Sequence, residues 1–197
     1  MSEGRNCPLG YRYDPACLCS EPRSVTGDVL YIIGGLYGNP YALDEIERMA
    51  RREECEGHRV TLVFNGDFNW LNATDDLFRG INNRVLEHTV TLGNVDFELA
   101  NPSPGAGCGC AYPDFVDDGV VERSNAVMAR LQAVAEGHPD IRRRLSLCPR
   151  SLCLIFGGQR LLVLHGDPQS LAGWGLSRES VGTGDDQQLA VWFRLST

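Results

Sequence analysis

Val29-Leu30-Tyr31-Ile32-Ile33-Gly34-Gly35-Leu36-Tyr37-Gly38-Asn39 is the stretch on which the reading of the fold turns. Five β-branched, aromatic or aliphatic residues run without a charge and then break on paired glycines, the pattern of a buried strand stopped at a turn. Residues 43–50 follow, with Leu43, Ile46, Met49 and Ala50 at helical spacing, and residues 59–65, rich in Val, Leu and Phe, read as a second strand. Strand, helix, strand is the unit of an α/β protein.

The same reading extends downstream. The spacing predicts a helix over 75–88, with Leu77, Ile81 and Val85 on one face, and a short strand over 89–92 that enters Gly93-Asn94. Residues 101–118 are dense in Gly, Pro and Cys and too long for a hairpin turn, and loops of that kind are often functional. A helix over 124–136, with Ser124 as its N-cap, is followed by strands over 152–156 and 161–164. Gly157-Gly158-Gln159-Arg160 joins those strands as a hairpin. Upstream, residues 1–27 hold Pro8, Pro15, Pro22 and three cysteines without apolar periodicity, and read as an irregular arm laid over a domain of residues 28–197. The expected fold is an α/β sandwich of mixed sheets flanked by helices.

Composition narrows the function classes. The chain has 197 residues, 43% of them hydrophobic and 22% charged, enough for one well-filled core. A formal net charge of -8 repels phosphate backbones, which argues against nonspecific nucleic-acid binding. The one basic run, Arg142-Arg143-Arg144, reads as a solvated helix face. No segment approaches the roughly 18 consecutive apolar residues of a membrane span, and residues 1–9 carry no apolar stretch of signal-peptide length. A cytoplasmic protein with no membrane partner is the expectation. Eight cysteines then read as thiols or metal ligands before disulfides. Cys17 with Cys19 and Cys108 with Cys110 are two close pairs able to close a tetrahedral zinc site, if the arm packs on the long loop.

Gly, Asp, Asn and His recur just beyond the predicted strand ends, the edge at which open α/β sheets bind ligands. Four such places follow in order: residues 34–39, Asn65-Gly66-Asp67, Gly93-Asn94-Val95-Asp96 and His165-Gly166-Asp167. Taken singly, each is most simply a turn, because Asp and Asn hydrogen-bond their own backbone there.

Taken together, the ordered set resembles the calcineurin-like metallophosphoesterases. Their signature runs Asp-x-His, Gly-Asp, Gly-Asn-His-Asp/Glu, His, and Gly-His-x-His. The resemblance covers about residues 28 to 175 and includes Gly38-Asn39 followed by Ala42-Leu43, which looks like the continuation of the first motif. It implies a metallophosphoesterase-like sandwich and a divalent cation, Mn, Fe or Zn, held by Asp67, Asn94 and His165 as metal ligands and catalytic residues. Asn39 and Asn69, on the same edge, are candidates to contact the substrate. The implied reaction is hydrolysis of a phosphate mono- or diester by a metal-activated water. The implied partner is a phosphorylated small molecule.

Three departures qualify that implication. The first motif has Gly35 and Tyr37 in place of Asp and His, so one of two metal positions is expected to be lost. The third motif has Val95 in place of its His, and no Gly-His-x-His follows His165. The C-terminal strands of the family fold are therefore expected to be missing, and self-association through an uncovered sheet edge is expected. The alternative is a noncatalytic descendant that binds a phosphorylated ligand or a protein partner at the same edge.

Overall fold

The computed structural model describes residues 3–182 and 186–195. Its strands are β1 (Arg23–Ser24), β2 (Val29–Ile33), β3 (Val60–Asn65), β4 (Thr89–Thr91), β5 (Ser151–Phe156) and β6 (Gln159–Leu164). Its α-helices are α1 (Pro40–Cys55), α2 (Asp75–Val85), α3 (Asn94–Ala100), α4 (Asp118–Glu136), α5 (Pro139–Ser146), α6 (Arg178–Gly182) and α7 (Asp186–Leu195). Strands β2, β3 and β4 form a parallel sheet in that order, with Tyr31 opposite Leu62 and Phe64 opposite Val90. Parallel neighbours need a long crossover, and α1 and α2 supply the two. The second sheet has the order β1-β5-β6, with β1 parallel to β5 and β5 antiparallel to β6. The protein is thus α/β, with small parallel and mixed sheets flanked by helices.

Alternation along β3 decides what lies on each face of the parallel sheet. Leu62 and Phe64 enter the main core with Leu43, Phe78, Ile81, Leu99 and Leu131, from the helices. Val63 points the other way and packs with Leu152, Leu154 and Val163 of the second sheet. A period of two therefore buries both faces of β3, which is why this strand reads as a continuous apolar run.

Several boundaries differ from the sequence reading, each for a local reason. The hairpin closes in two residues, because Gly157 and Gly158 both adopt positive φ (57° and 78°), and Gln159 and Arg160 join the strand. Helix α4 begins at Asp118, where the Asp117 carboxylate accepts from the Gly119 amide at 2.9 Å. Ser124 is accordingly not a cap; it is buried inside the helix and pairs with the Tyr112 hydroxyl at 3.0 Å. Helix α3 starts within the third motif, where a turn was expected. The arginine run lies on α5, with Arg142 bonded to the Leu99 carbonyl and Arg144 to Asn83 and Glu87.

The N-terminal arm is part of the fold. Its β1 extends the second sheet, and Tyr11 is fully buried with its hydroxyl donating to Glu98 at 2.7 Å. Among the described residues, no helix is long and apolar enough to cross a membrane.

Candidate functional site

The C-terminal ends of β3, β4 and β6 meet, and their loops carry Asp67, Asn94 and His165. After β3 the chain turns sharply through Gly66 and Asp67, both at positive φ (70° and 46°). A Cβ on Gly66 would overlap the Gly93 backbone, and a Cβ on Gly93 would overlap the Asp67 carboxylate and amide. The two loops therefore approach as closely as they do only because both positions lack side chains. Asp tolerates the left-handed region better than bulkier residues, and its buried carboxylate is pinned by the Val95 amide, which donates to Oδ1 at 3.1 Å.

His165 and Asn94 complete the arrangement. His165 Nε2 lies 3.2 Å from Asn94 Oδ1 and 3.4 Å from Asp67 Oδ2. Its Nδ1 faces the Asn65 carbonyl at 3.3 Å, and Asn65 Nδ2 in turn donates to the Leu164 carbonyl at 2.8 Å, tying the two sheets together. A proton on Nδ1 leaves the Nε2 lone pair toward Asp67 and Asn94, the tautomer that a metal ligand needs. Asn94 Nδ2 donates to the Cys108 carbonyl at 3.3 Å, which turns Oδ1 toward His165.

Behind Asp67 sits a second buried carboxylate, Asp96. It accepts from the Gly93 amide at 3.2 Å, the Asn69 amide at 3.3 Å and Asn69 Nδ2 at 2.9 Å. Burial, and then the charge of Asp67, push its pKa up to about 7. Burial also raises Asp67, against the pull of His165 and the Val95 amide. The cavity in front of these groups has a volume of about 310 Å³, and among the described residues that line it there is no arginine or lysine. Two carboxylates thus share a buried place without a fixed cationic side chain facing them.

The two candidates for substrate contact are not brought to this cavity. Asn39 is exposed and caps α1, its Oδ1 accepting from the amides of Tyr41 and Ala42 at 3.0 and 3.2 Å. Asn69 is fully buried, and its carboxamide is consumed by Asp96, Asn72 and Asn82. Asp167 is also turned away; its carboxylate accepts from the amides of Gln169, Ser170 and Gly175 and so shapes the loop after β6.

The departures in the first motif act as one unit. Tyr37 adopts φ of 52°, unusual for a bulky residue, while its amide donates to the Asp67 carbonyl at 2.9 Å. Its ring is folded over Gly35: a Cβ there would lie 2.5 Å from Tyr37 Cζ and 2.9 Å from the hydroxyl. The phenol occupies the space that a side chain at position 35 would take.

The cysteine pairs do not assemble a four-thiol site. Cys17 is exposed beside Asp14, Cys19 lies against Cys153, and Cys110 donates hydrogen bonds from its amide and thiol to Cys108, next to Asn94. Among the described residues, the group of three or more His, Cys, Asp or Glu ligand atoms within 4.8 Å of one another is Glu53, Glu56 and His58, at the end of α1. All eight cysteines are free.

Sequence reasoning did not anticipate the cavity walls contributed by Tyr112 and Trp174. Trp174 reads in the sequence as a packing residue, yet it lines the cavity with its Nε1 donating to the Cys110 carbonyl at 3.0 Å and its ring 5.7 Å from that of Tyr112. Trp70 lines the cavity as well. The available signal was the loop of residues 101–118, long and irregular enough to be functional, although nothing in it named the partner tryptophan.

No family model and no curated protein matches the chain. Among solved structures, a crystal structure of a hypothetical protein from Pyrococcus horikoshii OT3 is similar in fold, with a TM-score of 0.51 and 17% identity over 72% of this chain. The chain spans 56% of the length of that protein, and at this identity the likeness concerns the fold alone.

Proposed function

We propose that the chain is a divergent metal-dependent phosphoesterase of the calcineurin-like superfamily, built on that family's two-sheet sandwich. It holds one divalent cation, Mn, Fe or Zn, on Asp67, Asn94 and His165. The observation that carries this reading is the convergence of a carboxylate, an amide oxygen and an imidazole nitrogen within 3.2 and 3.4 Å, from three different strand ends. Ligands about 2.0–2.2 Å from a cation stand roughly 3.0–3.5 Å from one another, so the donor set fits such an ion. The paired carboxylates, whose pKa burial raises and which face no arginine or lysine among the described cavity residues, favour a cation that would stabilise their charged forms.

When bound, the cation would acidify water and draw charge from the phosphoryl oxygens. The chain's own part is positional. Asn65 orients His165, the Val95 amide fixes Asp67, and the cavity holds the ester in place. Hydrolysis forms a bond from the water oxygen to phosphorus and breaks one P–O ester bond, the departing oxygen leaving as an alcohol with a proton. The free thiols fit a reducing compartment, and the cytoplasm is the proposed location.

A second reading, a noncatalytic domain binding a phosphorylated ligand, is favoured by Tyr37, whose ring fills the space over Gly35. Calorimetric titration with Mn separates the site from the fold. Wild type is expected to bind one equivalent and Asp67→Ala to lose at least about tenfold in affinity, a modest fraction of what a charged ligand contributes. Equal affinity in the two proteins would overturn the site. Binding without release of phosphate or alcohol from any phosphoester would leave the noncatalytic reading.

A further inference from the structure

We infer that this cavity takes a phosphodiester monoanion carrying a flat aromatic ring, in preference to a phosphomonoester dianion. The inference rests on the phosphoesterase reading above and adds a substrate class to it. Three observations carry it.

The first is charge. A phosphomonoester has its second pKa near 6 and carries close to two charges at neutral pH, whereas a diester keeps one. Sites for dianionic phosphate supply arginine forks, lysines or free amides at a helix N-terminus. Among the described residues lining this cavity there is no arginine or lysine, while Asp67 adds a carboxylate. Two of the amides at the start of α3 are already used: Val95 donates to Asp67, and Gly93 donates to Asp96. A single divalent cation beside Asp67 leaves one positive charge, and no arginine or lysine among the described lining residues balances a second negative one.

The second is the character of the walls. Tyr37, Trp70, Tyr112 and Trp174 surround the metal-ligand set. Trp174 is held by the Cys110 carbonyl at 3.0 Å, and Tyr112 by Ser124 at 3.0 Å, so both rings are fixed before a ligand arrives. Phe115 braces Trp174 from the side with ring centroids 6.3 Å apart. Four aromatic side chains around one small polar centre suit a planar group that stacks, as bases do on aromatic residues. The third is size. A volume of about 310 Å³ lies at the small end of the roughly 300–1,000 Å³ of ligand pockets, matching one ring with its phosphate.

A nucleobase and a simple aryl group offer the same flat face, and the test has an arm for each. With Mn present, hydrolysis of bis(p-nitrophenyl) phosphate and 3′,5′-cyclic AMP is compared with that of p-nitrophenyl phosphate. Binding of both diesters and of the monoester is measured by calorimetry with wild type, Trp174→Ala and Trp174→Phe, after circular dichroism shows that each variant is folded. The expected result is a kcat/KM, or where turnover is absent an affinity, at least about tenfold higher for one diester than for the monoester. Trp174→Ala should weaken that diester about tenfold or more, the scale of one lost stack, and Trp174→Phe should restore most of it. The diester that binds more tightly identifies the nucleobase or the aryl group as the natural ring. A preference for the monoester, or Trp174→Ala binding the diester as tightly as wild type, would overturn the inference while leaving the phosphoesterase reading intact. Diester binding that depends on Trp174 but is never followed by hydrolysis would support the inference and remove the catalytic reading. Failure of both diesters to bind overturns it.

Discussion

Replacing Asn69 with alanine separates an architectural role from a substrate-binding one. Asn69 is fully buried and sits at the centre of four side-chain hydrogen bonds. Its Nδ2 reaches Asp96 at 2.9 Å and Asn82 Oδ1 at 3.1 Å, and its Oδ1 accepts from Asn72 at 2.8 Å and Asn82 at 2.6 Å. Some partners survive truncation. Asp96 keeps the amides of Gly93 and residue 69, and Asn82 Nδ2 keeps the Phe78 carbonyl at 2.8 Å. Asn72 Nδ2 and Asn82 Oδ1 lose the bonds described and are left buried. At about 1–3 kcal/mol for each stranded group, with a small cavity added, the loss should be about 3–5 kcal/mol. That is a large part of a total stability of about 5–15 kcal/mol. For a chain of this size it corresponds to a fall in Tm of roughly 6–20 °C. Urea unfolding followed by circular dichroism measures it, with Asn39→Ala as the comparison. Asn39 is an exposed helix cap, so its truncation should cost about 1 kcal/mol. A loss below about 1 kcal/mol for Asn69→Ala, together with weakened binding of a phosphoester, would refute the reasoning and return Asn69 to the substrate.

Two further outcomes follow from the structure. Gly35→Asp alone should leave Mn stoichiometry unchanged, because the new Cβ would lie 2.5 Å from Tyr37 Cζ, whereas Gly35→Asp with Tyr37→His should add a second equivalent in calorimetry and raise diester turnover about tenfold or more, a barrier change of about 1.4 kcal/mol. Equal effects from the single and double variants would show that the two positions are not coupled. Burial raises the Glu98 pKa above its ordinary value of 4.5, against the Ser103 amide and the Tyr11 hydroxyl, so folding takes up a proton there and this part of the stability is lost as pH rises above that value. The stability of wild type relative to Glu98→Gln should therefore fall between pH 4 and pH 7, and a flat or rising difference would contradict the assignment.

The sequence was informative where chemistry and local pattern coincide. The run at 29–33 gave β2 its bounds, because five apolar residues closed by glycines leave little choice of element. Asp67 and Asn94 were legible for the same reason, since a parallel sheet delivers the residues after its strands to one edge, whereas His165 reaches them from β6 of the second sheet. What stayed hidden depends on long-range contact. Ser124 has the identity of an N-cap, yet Asp117 captures that role through a two-residue hydrogen bond, and the tertiary pairing with Tyr112 then buries the serine. Asn39 and Asn69 share a residue type and an edge with Asn94, but one faces solvent over α1 and the other is enclosed by Asn72, Asn82 and Asp96. Residue type names a chemistry, and neighbours decide whether it is available.

Trp174 illustrates the limit most clearly. Its position depends on Asp167, whose carboxylate gathers three backbone amides and folds the loop back so that the indole reaches the Cys110 carbonyl. Gly173 is required for that fold, since a Cβ there would overlap the Asp167 carboxylate. In the sequence, His165-Gly166-Asp167 looks like one short motif carrying two polar groups toward a common edge. In three dimensions the histidine faces Asp67 and Asn94 while the aspartate organises the loop that carries an aromatic wall. The two therefore serve one cavity by different means. Loss of Asp167 should release Trp174 while His165, tied to the Asn65 carbonyl at 3.3 Å, keeps its place. The contact that holds His165 and those that hold the Trp174 loop are therefore separate, while Asn94, donating to the Cys108 carbonyl, and Tyr37, donating to the Asp67 carbonyl, join the polar and aromatic sides of the cavity.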